Sequence, residues 1–196
     1  MRRQYPFEFA LEVEHRLLDS TLQTLVELIN EDEQAMPASF GFHPAFRWPM
    51  AGSARETYCL VFDKAEAATA RRVNLDGQLE DVHERIPLDG DRLALSDQLF
   101  EHGAWVLDPV ASEALVIADD VGSLATVRWA GCTQLGLWSK PGAPFFCVEP
   151  WAGYPTPKGS STDLFNKPGA FLLQPGASRR FSLIIDCAGV ERRGHN

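Results

Sequence analysis

The stretch FFCVEPWAGYP, residues 145–155, holds the side chains best suited to chemistry. Phe145 to Val148 form an apolar run typical of a buried β-strand, and Glu149 follows directly. A carboxylate at the end of such a strand is costly unless it is paired or used. Trp151 adds a flat apolar ring beside it, and sugar C–H faces stack on aromatic rings. The pattern therefore favours a carbohydrate site, although Glu149 could also cap a turn or pair with an arginine.

A second stretch, MPASFGFHPAFRWP (residues 36–49), is dense in aromatic side chains and has His43 near its centre. On its own, a lone histidine of this kind is more often a hydrogen-bonded structural residue than an active-site residue. Trp48 and Trp138 are further candidates for a sugar platform. Core packing would explain each of these indoles as well.

Composition limits the classes of partner. The net charge of -9 and pI of about 5.0 argue against nucleic acid and anionic membrane surfaces, both of which attract Lys and Arg clusters. The N-terminus has no continuous apolar segment typical of a signal peptide, and no window reaches the length of a membrane span. The four cysteines show no C-x-x-C and no companion histidine spacing. We therefore expect a cytoplasmic protein without a zinc site.

The length of 196 residues fits a single domain over residues 1–196. Apolar residues alternate with polar ones over residues 7–14 and 22–30, which predicts a β-hairpin with its turn at Asp19 and Ser20. The second run also fits a helix, but we favour the strand. Further short strands are predicted near residues 57–63, 113–118, 123–130, 134–139 and 180–186. Such a series indicates an all-β antiparallel sandwich or barrel. Pro150 should end the strand of Glu149, because proline has no N–H to donate.

Two long motifs carry a family resemblance. GFHPAFRWP (residues 41–49) and LGLWSKPGAPFFCVEPWAGYP (residues 135–155) resemble the signature stretches of the aldose 1-epimerase family, specifically its LacX-like branch. The resemblance implies a galactose mutarotase-like β-sandwich, often called a supersandwich. It also implies an enzyme that interconverts the α and β anomers of a free hexose by opening and closing the ring, with a small sugar as partner and with no cofactor or metal.

The same resemblance assigns catalytic roles to two residues. His43 matches the general acid that protonates the ring oxygen, and Glu149 matches the base that takes the C1 hydroxyl proton. We expect the two to face one cleft with room for a pyranose between them. Phe146 and Trp151 should bury Glu149 and raise its pKa. Substrate-binding candidates are Arg47, Trp48, Trp151 and Phe146.

The chain departs from the family pattern in two places. The EHGAW stretch (residues 101–105) has no aspartate where the family often places a sugar-binding one, and neither Asp97 nor His102 is a convincing replacement. The family usually has an N-terminal segment before the strand that corresponds to YPFEF (residues 5–9) in this sequence. We expect this chain to lack that segment and to resemble the C-terminal two-thirds of the family domain. Strands that normally pair with that segment should be open edges, which could weaken activity or form a homodimer.

Three other functions remain open from the residues. A non-catalytic carbohydrate-binding module would keep the cleft without turnover. A hexose-6-phosphate 1-epimerase would want Arg or Lys near the site, and only Arg47, Lys140 and Lys158 lie in the motif regions. A glycoside hydrolase ranks last, because it needs two carboxylates and Glu149 has no obvious partner.

Overall fold

The computed structural model describes residues 5–50, 52–161 and 163–193. Nearly all regular structure in them is short β-strand. The strands, in chain order, are β1 (Phe9–Leu18), β2 (Thr21–Asn30), β3 (Met36–Ala38), β4 (Phe40–Gly41), β5 (Ala45–Arg47), β6 (Cys59–Phe62), β7 (Thr69–Val73), β8 (Glu84–Arg85), β9 (Leu88–Asp89), β10 (Arg92–Ala94), β11 (Ala104–Leu107), β12 (Ala114–Ala118), β13 (Ser123–Ala130), β14 (Gln134–Trp138), β15 (Phe145–Ala152), β16 (Phe171–Leu173) and β17 (Ser178–Asp186).

Helical structure is limited to short segments. Two 3₁₀ turns span Arg55–Thr57 and Gln98–Phe100, and the α-helix α1 spans Ala188–Arg193. Within the described residues, no helix has both the length and the apolar composition to cross a membrane.

The strands form two large antiparallel sheets. The eight-stranded sheet has the order β1-β2-β17-β13-β12-β6-β10-β9. The seven-stranded sheet has the order β4-β15-β14-β11-β7-β8, and β5 also pairs with β15. One apolar cluster takes residues from both sheets, among them Leu115 and Val127 from the first and Leu135 and Val148 from the second. The prediction of an all-β antiparallel sandwich is confirmed.

The N-terminal hairpin has the predicted turn. β1 and β2 pair in continuous antiparallel register, and Asp19 in the turn has a φ of 51°. Along β2 every second residue, from Thr24 through Val26 and Leu28 to Asn30, is buried. This period of two is that of a strand, so the helical alternative for this run is wrong. β1 is the outer strand of its sheet and is largely exposed, and pairing of two copies along it stays a prediction.

Strand β15 organises the second sheet and extends further than its sequence predicts. It continues to Ala152 rather than ending at Glu149. Pro150 is tolerated because its ring nitrogen faces the break between β4 and β5, where the neighbouring chain leaves the ladder. The carbonyl of Pro150 still accepts a hydrogen bond from the N–H of Phe42, at 3.0 Å. One ladder bond is lost there and the strand goes on.

Successive residues of β15 face opposite sides of the sheet, as pleating requires. Phe146, Val148 and Ala152 belong to the apolar cluster between the sheets. Glu149 and Trp151, in the alternate positions, point to the outer face of the seven-stranded sheet, where they line a cavity. This face carries the candidate site.

Candidate active site

His43 lies in the short break between β4 and β5. β4 pairs with β15 at Trp151, and β5 pairs with it at Cys147, so the break lies opposite Glu149. Nδ1 of His43 is 3.6 Å from Oε1 of Glu149. The imidazole is 62% exposed while the carboxylate is only 5% exposed, so a solvent-accessible group lies next to a buried one.

Burial sets the protonation behaviour of Glu149. It raises the pKa of this carboxyl from its ordinary 4.5 to about 7, because an ionised carboxylate loses hydration there. At neutral pH the side chain therefore exists in both protonation states. A carboxylate poised in this range can accept a proton from an alcohol and return it, which a fully ionised surface glutamate does poorly.

The indole of Trp151 lies over two neighbouring strands, and each of them has a glycine at the position beneath the ring. On β14, Gly136 is the neighbour, and a Cβ there would lie 2.6 Å from two ring carbons of the indole. On β4, a Cβ at Gly41 would overlap the other end of the ring. The two glycines let the indole lie close to the sheet, where it forms an aromatic floor next to Glu149.

The site opens into a cavity of about 350 Å³, within the roughly 300–1,000 Å³ common for small-ligand pockets. Trp138 forms part of the wall, and its ring meets that of His43 edge-on with centroids 6.3 Å apart. The lining residues are His43, Val73, Asn74, Leu75, Gly77, Gly103, Ala104, Trp138, Glu149, Trp151 and Pro155. His43, Glu149 and Trp151, three of the predicted site residues, thus share one cavity.

A larger hollow of about 630 Å³ lies elsewhere, between the N-terminal hairpin and β17. Its lining includes Glu12, Glu14, Glu27 and Arg180 but no histidine and no tryptophan. Volume alone favours that hollow, whereas chemistry favours the smaller cavity. We place the candidate site in the smaller one, because it joins a desolvated carboxylate to an accessible imidazole.

Two of the predicted substrate-binding residues lie in the core and not in the cavity lining. Trp48 and Phe146 are both fully buried, with their rings packed edge-to-face 6.1 Å apart in the core. The guanidinium of Arg55 covers the Trp48 ring at 3.5 Å. Phe146 points to the opposite side of β15 from Glu149, so it does not contribute to the cavity wall. These aromatic rings stabilise the sandwich rather than a sugar.

The remaining predicted contacts lie near the site without lining it. Arg47 is exposed and pairs with Phe145, on the site's face of the sheet but beyond the cavity, so its role stays a prediction. Asp97 is held by Arg55 at 2.6 Å and by the backbone N–H of Gly142. His102 does not line the cavity, although the two residues that follow it, Gly103 and Ala104, do.

The distance between His43 and Glu149 corrects one expectation. They do face one cleft, but the gap of 3.6 Å is too narrow for a pyranose to lie between them. The ring oxygen and the C1 hydroxyl of a hemiacetal are bonded to the same carbon. Two adjacent groups on one side of the sugar can therefore reach both oxygens.

Sequence reasoning missed three parts of the site. The end of β7 and the turn after it, residues 73–77, form one wall, and nothing in the sequence VNLDG indicates this. Gly136 had a usable signal, since a glycine inside an apolar strand often marks a close approach. Cys147 stands in an apolar run that gives no sign of a site, yet it lies on the same face of β15 as Glu149 and near His43.

Comparison with known proteins agrees with this fold. The sequence matches the family described as aldose 1-epimerase over residues 2–185. The chain belongs to the aldose 1-epimerase family. None of the curated proteins compared with it matches.

Two solved structures are similar to this chain in fold and sequence. A galactose mutarotase-like protein from Lactobacillus casei is 28% identical, with a TM-score of 0.84 over 94% of this chain and 65% of its own. A galactose mutarotase related enzyme from Lactobacillus acidophilus is 25% identical, with a TM-score of 0.81 over 94% of this chain and 63% of its own. The chain thus spans about two-thirds of the length of either relative.

A third structure is similar in fold alone. A galactose mutarotase-like protein from Clostridium acetobutylicum is 16% identical, with a TM-score of 0.64 over 94% of this chain and 57% of its own. The galactose mutarotase-like architecture predicted from the two motifs is confirmed.

Proposed function

We propose that this chain is an aldose 1-epimerase that interconverts the anomers of a free hexose. The observation that carries the proposal is the contact between an exposed imidazole and a buried carboxyl whose pKa is raised to about 7, beside an aromatic floor. Membership of the aldose 1-epimerase family supports the reaction class. The substrate and the residue roles are part of the proposal.

The reaction needs one proton acceptor and one proton donor. Ionised Glu149 takes the proton of the C1 hydroxyl, while protonated His43 gives a proton to the ring oxygen. The bond between C1 and the ring oxygen breaks, and the aldehyde forms. After rotation about the C1–C2 bond, the ring closes on the other face and both protons return. Each group contributes about 10²–10⁴-fold to the rate.

The cavity favours an uncharged sugar over a sugar phosphate. None of the described residues that line it is a lysine or arginine, whereas phosphate binding ordinarily uses such groups. Trp151 offers an apolar face for the C–H side of a hexose, and His43 and Glu149 offer polar groups for its hydroxyls.

The other candidate functions have less support. Among the described lining residues Glu149 is the one carboxylate, so the paired acids of a glycoside hydrolase are not present in this cavity. A carbohydrate-binding module would need the aromatic floor but gains nothing from a desolvated carboxyl beside a histidine. That arrangement favours catalysis over binding alone.

Polarimetry tests the proposal directly. Freshly dissolved α-glucose or α-galactose should reach anomeric equilibrium faster with the wild-type chain than in buffer. His43→Ala and Glu149→Gln should each lose most of the acceleration. Glu101→Gln and His102→Ala, which change the same residue types at exposed positions beside the cavity, should retain it.

Calorimetry with the same sugars separates the alternatives. Sugar binding without acceleration would favour a binding module and overturn the enzymatic proposal. An acceleration that persists in Glu149→Gln would leave the reaction standing but reject this residue as the base. Neither binding nor acceleration with any free hexose would reject the proposed substrate class.

A further inference from the structure

The fold brings a thiol to the proposed catalytic pair. Cys147 precedes Glu149 by two residues on β15, so both side chains leave the same face of the sheet. One ring nitrogen of His43, Sγ of Cys147 and a carboxylate oxygen of Glu149 all lie within 4.8 Å of one another. Over the part of the chain that the structure describes, no other three histidine, cysteine or acidic side chains meet this way. Imidazole, thiolate and carboxylate are the three side-chain ligand types of zinc.

The separations are close to those of a tetrahedral metal site. Zinc bonds of about 2.0–2.3 Å place neighbouring ligand atoms about 3.3–3.7 Å apart. His43 and Glu149 already meet that spacing at 3.6 Å. The remaining distances need to close by about 1 Å at most, and the exposed imidazole has room to move. Three protein ligands leave the fourth position free for water on the cavity side.

The acid–base reaction gives Cys147 no task. The side chain is 1% exposed and lies on the cavity's face of β15, whereas the strand's core residues lie on the other face. Its β14 neighbour is Trp138, which contacts His43. Burial and the nearby Glu149 raise the pKa of the thiol to about 12, so it is protonated at neutral pH. A coordinating metal ion nevertheless removes a thiol proton outright.

We propose that His43, Cys147 and Glu149 form a site for a soft divalent cation of the zinc class, and that the cation and the sugar exclude each other. On binding, the Cys147 thiol releases its proton to solvent and a metal–sulfur bond forms. Neutral His43 and ionised Glu149 each donate a lone pair. No oxidant or reductant takes part.

The exclusion of sugar rests on the proposed epimerase function, whereas the cation site itself does not. A metal-bound Glu149 oxygen no longer accepts the C1 hydroxyl proton, and a metal-bound His43 nitrogen no longer delivers one. The cation also occupies the space in front of the Trp151 floor. It should therefore act as a competitive inhibitor, raising the apparent KM for the hexose.

Cobalt titration of the metal-stripped, reduced chain tests the site. Co²⁺ bound to a thiolate gives a sulfur-to-metal charge-transfer band. We expect one equivalent to produce the band and Zn²⁺ to displace it. The band should vanish in Cys147→Ala and remain in Cys132→Ala, a matched change of another buried cysteine. Circular dichroism of each variant confirms that it is folded.

Isothermal titration with Zn²⁺ tests the other two ligands. Glu149→Gln and His43→Ala should each weaken binding by more than the roughly 10–100-fold that loss of an outer-shell partner costs. A band that persists in Cys147→Ala, no band in the wild-type chain, or unchanged zinc affinity in both other variants would overturn the site.

The inhibition has a separate readout. Zn²⁺ should slow mutarotation at low hexose concentration, with recovery at high hexose or after addition of a chelator. If the chain binds cobalt through Cys147 but shows no mutarotation, the epimerase proposal fails and the cation site stands. If mutarotation is present and cobalt gives no band, the cation site fails alone.

Discussion

Replacing Glu149 by glutamine should stabilise the folded protein at about pH 8 while removing the proposed catalytic base. The carboxyl is buried, and its pKa rises from 4.5 to about 7. A difference of one unit between the folded and unfolded pKa values changes the free energy of unfolding by about 1.36 kcal/mol. The difference for Glu149 therefore corresponds to about 3 kcal/mol. That free energy is the cost of holding an ionised carboxylate at this position.

The sign follows from which state holds the proton more tightly. Because the folded-state pKa of Glu149 is the higher one, its contribution to stability is complete below about pH 4.5. The contribution is lost as the pH rises through about 7. Glutamine has the same shape and stays neutral, so the advantage of Glu149→Gln over wild type should grow from near zero at about pH 4.5 to about 3 kcal/mol at about pH 8.

Urea unfolding at a series of pH values measures this difference. Glu12→Gln is the matched control, because Glu12 is exposed on β1 and the same substitution there should give no comparable trend. If Glu149→Gln is no more stable than wild type at about pH 8, the carboxyl is not desolvated as inferred. An equal gain at both ends of the pH range would mean that packing, and not ionisation, is responsible. Either result refutes the argument for a near-neutral base.

Four further predictions concern the pH profile and the residues around the site. On the acid side, the rate of mutarotation should rise about tenfold per pH unit below about pH 7, as Glu149 ionises, which polarimetry across buffers measures. Gly136→Ala should tilt the Trp151 indole, raising KM for the hexose and shifting tryptophan fluorescence. Trp48→Ala should cost about 3–5 kcal/mol in urea unfolding, because its ring is fully buried. Arg47→Ala should change KM by less than about twofold, since Arg47 lies outside the cavity lining.

The sequence predicted the architecture well, because periodic burial determines it. Alternation in residues 7–14 and 22–30 was enough for the hairpin, and the charged outer residues made its exposed strand recognisable. The length of β15 was not predictable from local rules. Pro150 breaks a ladder only where a partner needs its N–H, and the sequence does not reveal that the neighbouring chain departs there.

The motifs were sufficient to place His43 and Glu149 at one cleft despite their distance in the chain, but the predicted gap for a pyranose between them was wrong. They did not distinguish the two faces of a strand, so Trp48 and Phe146 were assigned to the sugar although both lie in the core. Residue type suggested a platform, whereas position along the pleat determined burial. Cys147 was missed for the opposite reason, since an apolar neighbourhood in sequence concealed its place beside two polar groups.

The pleat of β15 separates two sets of side chains, one on each face of the sheet, within one eight-residue strand. Positions 146, 148 and 152 belong to the apolar cluster between the sheets, whereas positions 147, 149 and 151 lie outside that cluster on the face of the cavity. Substitutions at these three alternate positions would therefore change the chemical groups of the proposed site without directly replacing a core residue of the same strand. A single inserted or deleted residue, in contrast, would invert both sets at once.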